Sequence, residues 1–330
     1  MCNIMMINKK KINAGYHYKV FGLHVSSDIL LPELVAIDTS DMPEVNIRLG
    51  KVHEDVIINL NSDINKNEMY RAVKNEFSLI VSGVASYYVT NGNSITVEPA
   101  EQSKETSVRL FLLGTAFGAL LMQRGILPFH GSAVVINGCC VIFTGTSGAG
   151  KSTLLTAFIK KGYLFLTDDV AAVTMDNEGV FWVHPAYPQQ KLWRDSAETM
   201  KIDITGLTPF YSYNSSEKFA VPALKSFCQA PAPLAAVYEL EVGIGVEKQC
   251  STNIRRLENI DKLAVIISHT YRPWLIDKLG LKEAHFKQCV AVARQVAVSR
   301  LTRPEGIIFV EEQANHILQD LESLVKNGIK

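Results

Sequence analysis

Apolar and polar positions alternate in short runs through the first hundred residues and then change period. Val45-Asn46-Ile47-Arg48-Leu49, Phe77 to Val81, Tyr87-Tyr88-Val89 and Ile95-Thr96-Val97 have the two-residue rhythm of strands, punctuated by Gly, Pro and Asn. Asn91-Gly92 sits between two such runs and predicts a hairpin. From about Thr106 to Arg124 the spacing becomes helical and stops at Gly125, a C-cap residue. The pattern then predicts a strand at Cys139–Phe143, a helix at Thr153–Lys161 closed by Gly162, and a strand at Tyr163–Thr167. Further on, Asp176 to Gly179 turns into a strand at Val180–Val183, and Ala235–Val242 reads as another strand. Asp261–His269, Glu283–Ala293 and Glu311–Lys326 read as helices. The expected organisation is a β-rich N-terminal domain over residues 1–103 and a second, α/β domain over 104–330, with Ala230-Pro231-Ala232-Pro233 as a connector inside it.

Between the strand at Cys139–Phe143 and the helix that begins near Thr153, the chain reads Gly145-Thr146-Ser147-Gly148-Ala149-Gly150-Lys151-Ser152-Thr153. This is G-x-x-x-x-G-K-[ST], the phosphate-binding loop. Its backbone N–H groups wrap phosphates, the lysine reaches the β- and γ-phosphates, and the hydroxyl after it suits Mg²⁺. The motif points to a nucleotide, ATP with Mg²⁺, held by Gly145 to Thr153 with Ser152 at the metal.

Ala133 to Ile142 is two apolar runs around Asn137-Gly138, the strongest short-range hairpin signal. A two-residue turn there pairs Ile136 with Cys139, and counting outward sets His130 opposite Gly145. His130 is then either a strand-end histidine or a residue beside the phosphates. After the helix, Asp168-Asp169 ends an apolar strand. One carboxylate at this place suits Mg²⁺ and a second suits proton abstraction from an acceptor hydroxyl.

Phe129-His130-Gly131, Gly145 to Ser152 and Asp168-Asp169 together resemble the catalytic core of the bacterial HPr kinase/phosphorylase family, over about Phe129 to Val183. The resemblance implies a P-loop kinase core of the HPr kinase/phosphoenolpyruvate carboxykinase type. It makes Asp168 the acid/base residue, His130 its partner, Lys151 a catalytic cation and Asp169 the acidic neighbour near the metal. The family's downstream Glu and Arg-Gly-x-Gly are absent; Tyr187 to Asp195 reads YPQQKLWRD. A metal-binding glutamate, HPr as substrate and reversal by phosphorolysis are therefore not implied. Phe21-Gly22-Leu23, Leu31-Pro32-Glu33-Leu34, Lys191-Leu192-Trp193 and Leu301-Thr302-Arg303-Pro304 are similar to the HPr-kinase-related enzymes of lasso-peptide biosynthesis, which phosphorylate the C-terminal serine of a precursor peptide.

Composition narrows the setting. Lys plus Arg (33) balances Asp plus Glu (33), so no electrostatic footprint for nucleic acid is present. Six cysteines without C-x-x-C read as reduced or core thiols, and Met1–Lys11 has no apolar leader, which together predict a cytoplasmic protein. Leu110–Met122 is too short to span a bilayer and reads as a buried helix rather than a membrane segment. Lys191, Arg194, Arg272, Arg300 and Arg303 are candidates to meet phosphate or a peptide carboxylate, whereas His184 and His269 read as structural. No spacing supports a zinc site. Three functions fit: a kinase acting on a peptide serine, a small-metabolite kinase on the same core, and a nucleotide-binding regulatory module. The partner expected is a peptide or a small-molecule acceptor, with homo-oligomer assembly left open.

Overall fold

The computed structural model describes residues 15–53, 61–62, 68–213, 216–243, 252–304 and 310–326. Met1–Lys11 lies outside them.

The first part is one sheet of nine described strands: β1 (Tyr16–Val20), β2 (Leu23–Ser27), β3 (Val35–Ala36), β4 (Val45–Leu49), β5 (Asn61–Ser62), β6 (Glu68–Val73), β7 (Glu76–Val81), β8 (Ala85–Thr90) and β9 (Ser94–Pro99). Alternation builds it. In β8 every second residue is buried, so one face packs and the other meets solvent. The Asn91-Gly92 turn joins β8 to β9 with positive φ at both residues, 54° and 64°.

The predicted helix forms as α1 (Glu105–Phe111) and α2 (Phe117–Gln123), joined by a π-helical turn over Leu112–Ala116. It is the one described stretch long and apolar enough to cross a bilayer. Here it is a core element. Val108, Leu112, Phe117 and Leu120 are buried in the same apolar cluster as Val25, Ile47, Tyr87 and Val89 of the first sheet and Tyr271 and Leu275 of the later chain. The Tyr87 hydroxyl donates to Val108 O at 2.8 Å. Residues on both sides of position 103 thus share one core.

The second sheet holds β10 (Leu127–Ile136), β11 (Cys139–Gly145), β12 (Leu164–Thr167), β13 (Val170–Met175), β14 (Phe181–His184), β18 (Ala232–Gly243), β19 (Asn253–Arg256) and β20 (Ala297–Pro304). The Asn137-Gly138 hairpin has the expected register, Ile136 opposite Cys139 and Gly131 opposite Thr144. Both turn residues take positive φ, 51° and 81°, the combination a two-residue turn needs. The long β10 pairs with β11 and β12 at one end and β13 at the other, and β11 runs parallel to β18. α3 (Lys151–Lys160) follows β11, and its apolar side packs with Val134, Phe143 and Tyr238.

Three strands form a small sheet that the sequence pattern did not suggest: β15 (Gln189–Trp193), β16 (Tyr211–Tyr213) and β17 (Ser216–Pro222), with α4 (Arg194–Thr199) between the first two. Helices α5 (Asn259–Ser268), α7 (Lys282–Gln295) and α8 (Val310–Lys326) fall within a few residues of their expected spans, and α6 (Trp274–Lys278) is additional. Cys139, Cys140, Cys228 and Cys289, the described cysteines, are free thiols.

One glycine ties this packing to the cleft described below. A Cβ on Gly118 of α2 would lie 2.8 Å from the Tyr271 ring. Alanine in a helix interior normally gains about 1 kcal/mol over glycine, but overpacking costs about 1–3 kcal/mol. Gly118→Ala is therefore expected to lower the thermal midpoint and displace Tyr271. A midpoint equal to or above wild type shows that this contact is not tight.

Candidate active site

β11 delivers the glycine-rich loop to the edge of a cleft of about 990 Å³, lined by Gly145, Thr146, Ser147, His130, Asp169, Lys191, Lys218, Glu239, Tyr271 and Arg272 among others. Gly145 has φ +137°, and a Cβ there would stand 2.5 Å from Leu240 O on the parallel neighbour, so no side chain fits. Ala149 and Thr153 of the motif lie deeper. Ala149 is packed in the core with α3, and Thr153 is buried with its hydroxyl 3.3 Å from Ser196 Oγ. Gly148 and Gly150 take positive φ, which turns the chain into α3. Lys151 donates to its own loop, to Gly145 O at 2.8 Å and Thr146 O at 3.0 Å. Burial holds its ammonium down at about 8, against a raising influence from Asp169. Binding phosphate would replace these two carbonyl partners with anionic oxygens.

β10 carries His130 and Ser132 on one face, two residues apart. The hairpin register sets them beside the loop, and Thr144 Oγ1 donates to His130 O at 2.8 Å. The chain bends after β12, so the adjacent carboxylates escape strand alternation and take different environments. Asp168 is buried, accepting from Ser132 Oγ at 2.6 Å and from the Lys191 backbone N–H at 2.7 Å. Burial raises its pKa to about 6, with Ser132, the Lys191 amide and Ser152 among the groups that lower it. Asp169 faces the cleft and accepts from Lys191 Nζ at 2.6 Å, with His130 Nδ1 3.6 Å away. Burial pushes it up, yet the Lys191 ammonium and His130 hold it far below the usual carboxylate range. Lys191 is correspondingly raised by Asp169 against its own burial. His130 is lowered by burial, so at neutral pH it is uncharged and meets Asp169 as a dipole.

The geometry thus sets His130 against Asp169, and gives Asp168 to Ser132 and the Lys191 amide. Four residues escaped the sequence reading. Ser132 was signalled only by its two-residue spacing from His130. Lys218 comes from β17, opposite Trp193 of β15. Glu239, on β18 opposite Thr144, binds His269 Nε2 at 2.8 Å and Arg300 Nε at 2.7 Å. Tyr271 reaches the cleft because its N–H donates to Pro128 O at 2.7 Å and its neighbour Thr270 bridges to Phe129. His269 supports this wall, its carbonyl accepting from His130 N–H at 2.8 Å.

Of the five cations considered for the acceptor, Lys191 and Arg272 line the cleft. Arg194 pairs with Glu217 and Arg300 with Glu239, while Arg303 donates to Pro304 O at 3.2 Å. Among the described residues no group of three or more His, Cys, Asp or Glu is arranged to hold a metal. The donor set fits a Mg²⁺ delivered with a nucleotide, which needs only a hydroxyl and one or two carboxylates besides phosphate oxygens. Ser152 beside Asp168, and Asp169, supply those.

A stretch of the chain is 29% identical over 101 residues to the HPr kinase/phosphorylase of Chloroherpeton thalassium, covering 28% of this chain and 30% of that one. The chain is HPr-kinase-like over that stretch. It therefore spans under a third of that relative's length. The HPr(Ser) kinase/phosphatase structure from Coxiella burnetii superposes with 15% identity over 61% of this chain and 99% of that one, at a TM-score of 0.32, too low to establish a common fold. No family model matches the chain.

The buried carboxyl of Asp168 has a stability consequence. Asp168 ionises near pH 6 when folded and about 3.9 when unfolded, so its ionisation opposes folding. Its favourable contribution is complete below about pH 4 and lost as pH rises through 6, on the order of 2–3 kcal/mol. Asparagine keeps both hydrogen bonds, its oxygen facing the Lys191 amide and its NH₂ facing Ser132 Oγ. Asp168→Asn should unfold at higher temperature than wild type at pH 7–8, with the gap closing towards pH 4. A gap that does not vary with pH contradicts the raised pKa.

Proposed function

We propose that the protein is an ATP-dependent kinase that moves the γ-phosphoryl group to a serine hydroxyl, with residues 104–330 as the kinase unit. One observation carries this reading: beside a phosphate-binding loop, two adjacent carboxylates are driven to opposite pKa extremes. Such a split separates a proton acceptor from a permanently charged neighbour. Asp168, near 6, takes the hydroxyl proton as the acceptor oxygen attacks phosphorus. Asp169 stays ionised to hold Lys191 and meet Mg²⁺ with Ser152. When bound, Mg²⁺ supplies charge neutralisation across the β- and γ-phosphates. Gly145 to Thr153 holds the nucleotide, Lys151 turns from its loop carbonyls to the phosphates, and neutral His130 orients the carboxylate face. A purely regulatory nucleotide module does not need a carboxyl tuned to neutrality.

A second assignment, Asp169 as the base, is favoured by its place on the cleft wall. The pH profile separates the two. With Asp168 as base, kcat under saturating MgATP falls about tenfold per pH unit below 6, and Asp168→Asn costs about 10² to 10⁴ in rate while sparing ATP binding. A rate that stays level to pH 4 gives the role to Asp169.

The acceptor we propose is the C-terminal serine of a lasso-peptide precursor, a reading supported by the Lys191-Leu192-Trp193 and Leu301 to Pro304 similarities and by Arg272 at the cleft. Arg272 lies 5.6 Å from the Tyr271 ring and takes φ +50°, a strained backbone that aims it. Incubation of candidate peptides with MgATP and mass spectrometry should find one added phosphate on the terminal serine. Amidating the C-terminus should lower kcat/KM by at least about tenfold, from the loss of a charge-assisted hydrogen bond of about 1.5–3 kcal/mol. Arg272→Ala should no longer distinguish acid from amide. Preference for free serine or a sugar makes the protein a small-metabolite kinase instead.

A further inference from the structure

Three lysines approach the cleft, and their partners differ. Lys151 sits on the loop side, bound to loop carbonyls. Lys191 is neutralised by Asp169. Lys218 forms no ion pair among the described residues, and its ammonium lies 5.5 Å from the Trp193 ring centroid. β17 holds it in place: Lys218 pairs with Trp193 on one side and Tyr211 on the other, and its carbonyl accepts from Phe210 N–H at 3.0 Å. Because cross-strand partners share a face, Lys218, Trp193 and Lys191 all look into the cleft. Lys218 is also within electrostatic reach of Asp168, Asp169, Lys151 and His130 together. Burial lowers its pKa. A half-buried cation on a rigid strand, central to the site and without an ion pair among the described residues, is preorganised for negative charge that arrives during the reaction.

We propose that Lys218 binds the phosphoryl group in flight, as a catalytic residue of the kinase reaction proposed above, on which this assignment rests. As the acceptor oxygen bonds to phosphorus, the bond from phosphorus to the β–γ bridging oxygen breaks and its electron pair leaves with ADP. The hydroxyl proton passes to Asp168. Lys218 donates N–H bonds to the equatorial oxygens, where charge is greatest midway, and gives up no proton. Lys151 holds the same group from the nucleotide side.

The test compares ground-state and transition-state ligands. Lys218→Met keeps the aliphatic stem over Trp193 and removes the charge. ADP affinity and the KM for both substrates should stay within about twofold, while kcat falls about 10² to 10³-fold. Binding of MgADP with aluminium fluoride, a planar phosphoryl mimic, should weaken by the same order. Lys218→Arg should recover much of that binding. If the Met variant does not fold, Lys218→Gln takes its place in the same comparison. A Met variant that binds the aluminium fluoride complex as wild type does overturns the assignment, as does one whose defect is confined to acceptor KM, which would make Lys218 an acceptor reader. Wild-type protein that binds neither ADP nor the complex defeats the kinase reading itself, a result distinct from either.

Discussion

Lys191 holds both carboxylates of the site at once, its backbone N–H on Asp168 and its ammonium on Asp169. Two adjacent ionised carboxylates in a closed site repel each other and lose hydration, so neither is tenable without such a partner. The arrangement also fixes where β15 lies. A strand that must deliver an amide to one aspartate and a side chain to the next has little freedom to slide, and Gln190 Nε2, bonded to Thr156 Oγ1 of α3 at 3.0 Å, secures it from the other face. The small sheet is thereby joined to the phosphate loop, and Trp193 and Lys218 follow from its register.

The same clamp creates the electrostatic asymmetry. Asp168 receives only neutral donors directly, a hydroxyl and an amide, which satisfy its oxygens without paying back the lost hydration of a charge, so its pKa rises. Asp169 receives a full cation and falls. Identical side chains one residue apart thus acquire opposite chemistry from whether Lys191 meets them with its backbone or its tip. Substituting the Lys191 side chain would take the cation from Asp169 and leave the backbone N–H on Asp168, so the two contacts can be separated by mutation.

How much of this was legible in the sequence depends on whether the determining contacts are local. The Asn137-Gly138 turn fixes the β10–β11 register by itself, and counting from it sets His130 against the phosphate loop. The strand–loop–helix order around Gly145 to Thr153 and the Asp168-Asp169 pair were also readable, because turn chemistry and short apolar periods carry them. Ser132 was within reach by the same count but resembled any strand serine. Lys218 and Glu239 were not readable: each reaches the site only through pairing with a strand far away in sequence, Lys218 through β15 and Glu239 through β11. The separation of two domains near residue 103 follows a real change of period, yet α1 and α2 bury their apolar surface against strands from both sides of it. Pattern locates elements; it does not say which element covers which face.

Charge gives the sharpest case. The whole chain is formally neutral, which argues against a broad polyanion-binding surface. Within the cleft, however, Lys191, Lys218 and Arg272 face a single carboxylate pair divided between Asp169 and the Glu239 cluster, and Lys151 stands just behind the loop. Glu239 is compensated by Arg300 and Asp169 by Lys191, and Lys218 adds a further positive charge on the cleft wall. A local excess inside low-dielectric walls acts more strongly than the same charges spread over a surface. Average composition therefore hides the property that most suits this cleft to a phosphate-bearing ligand, the gathering of lysine side chains around it, which only the folded arrangement brings about.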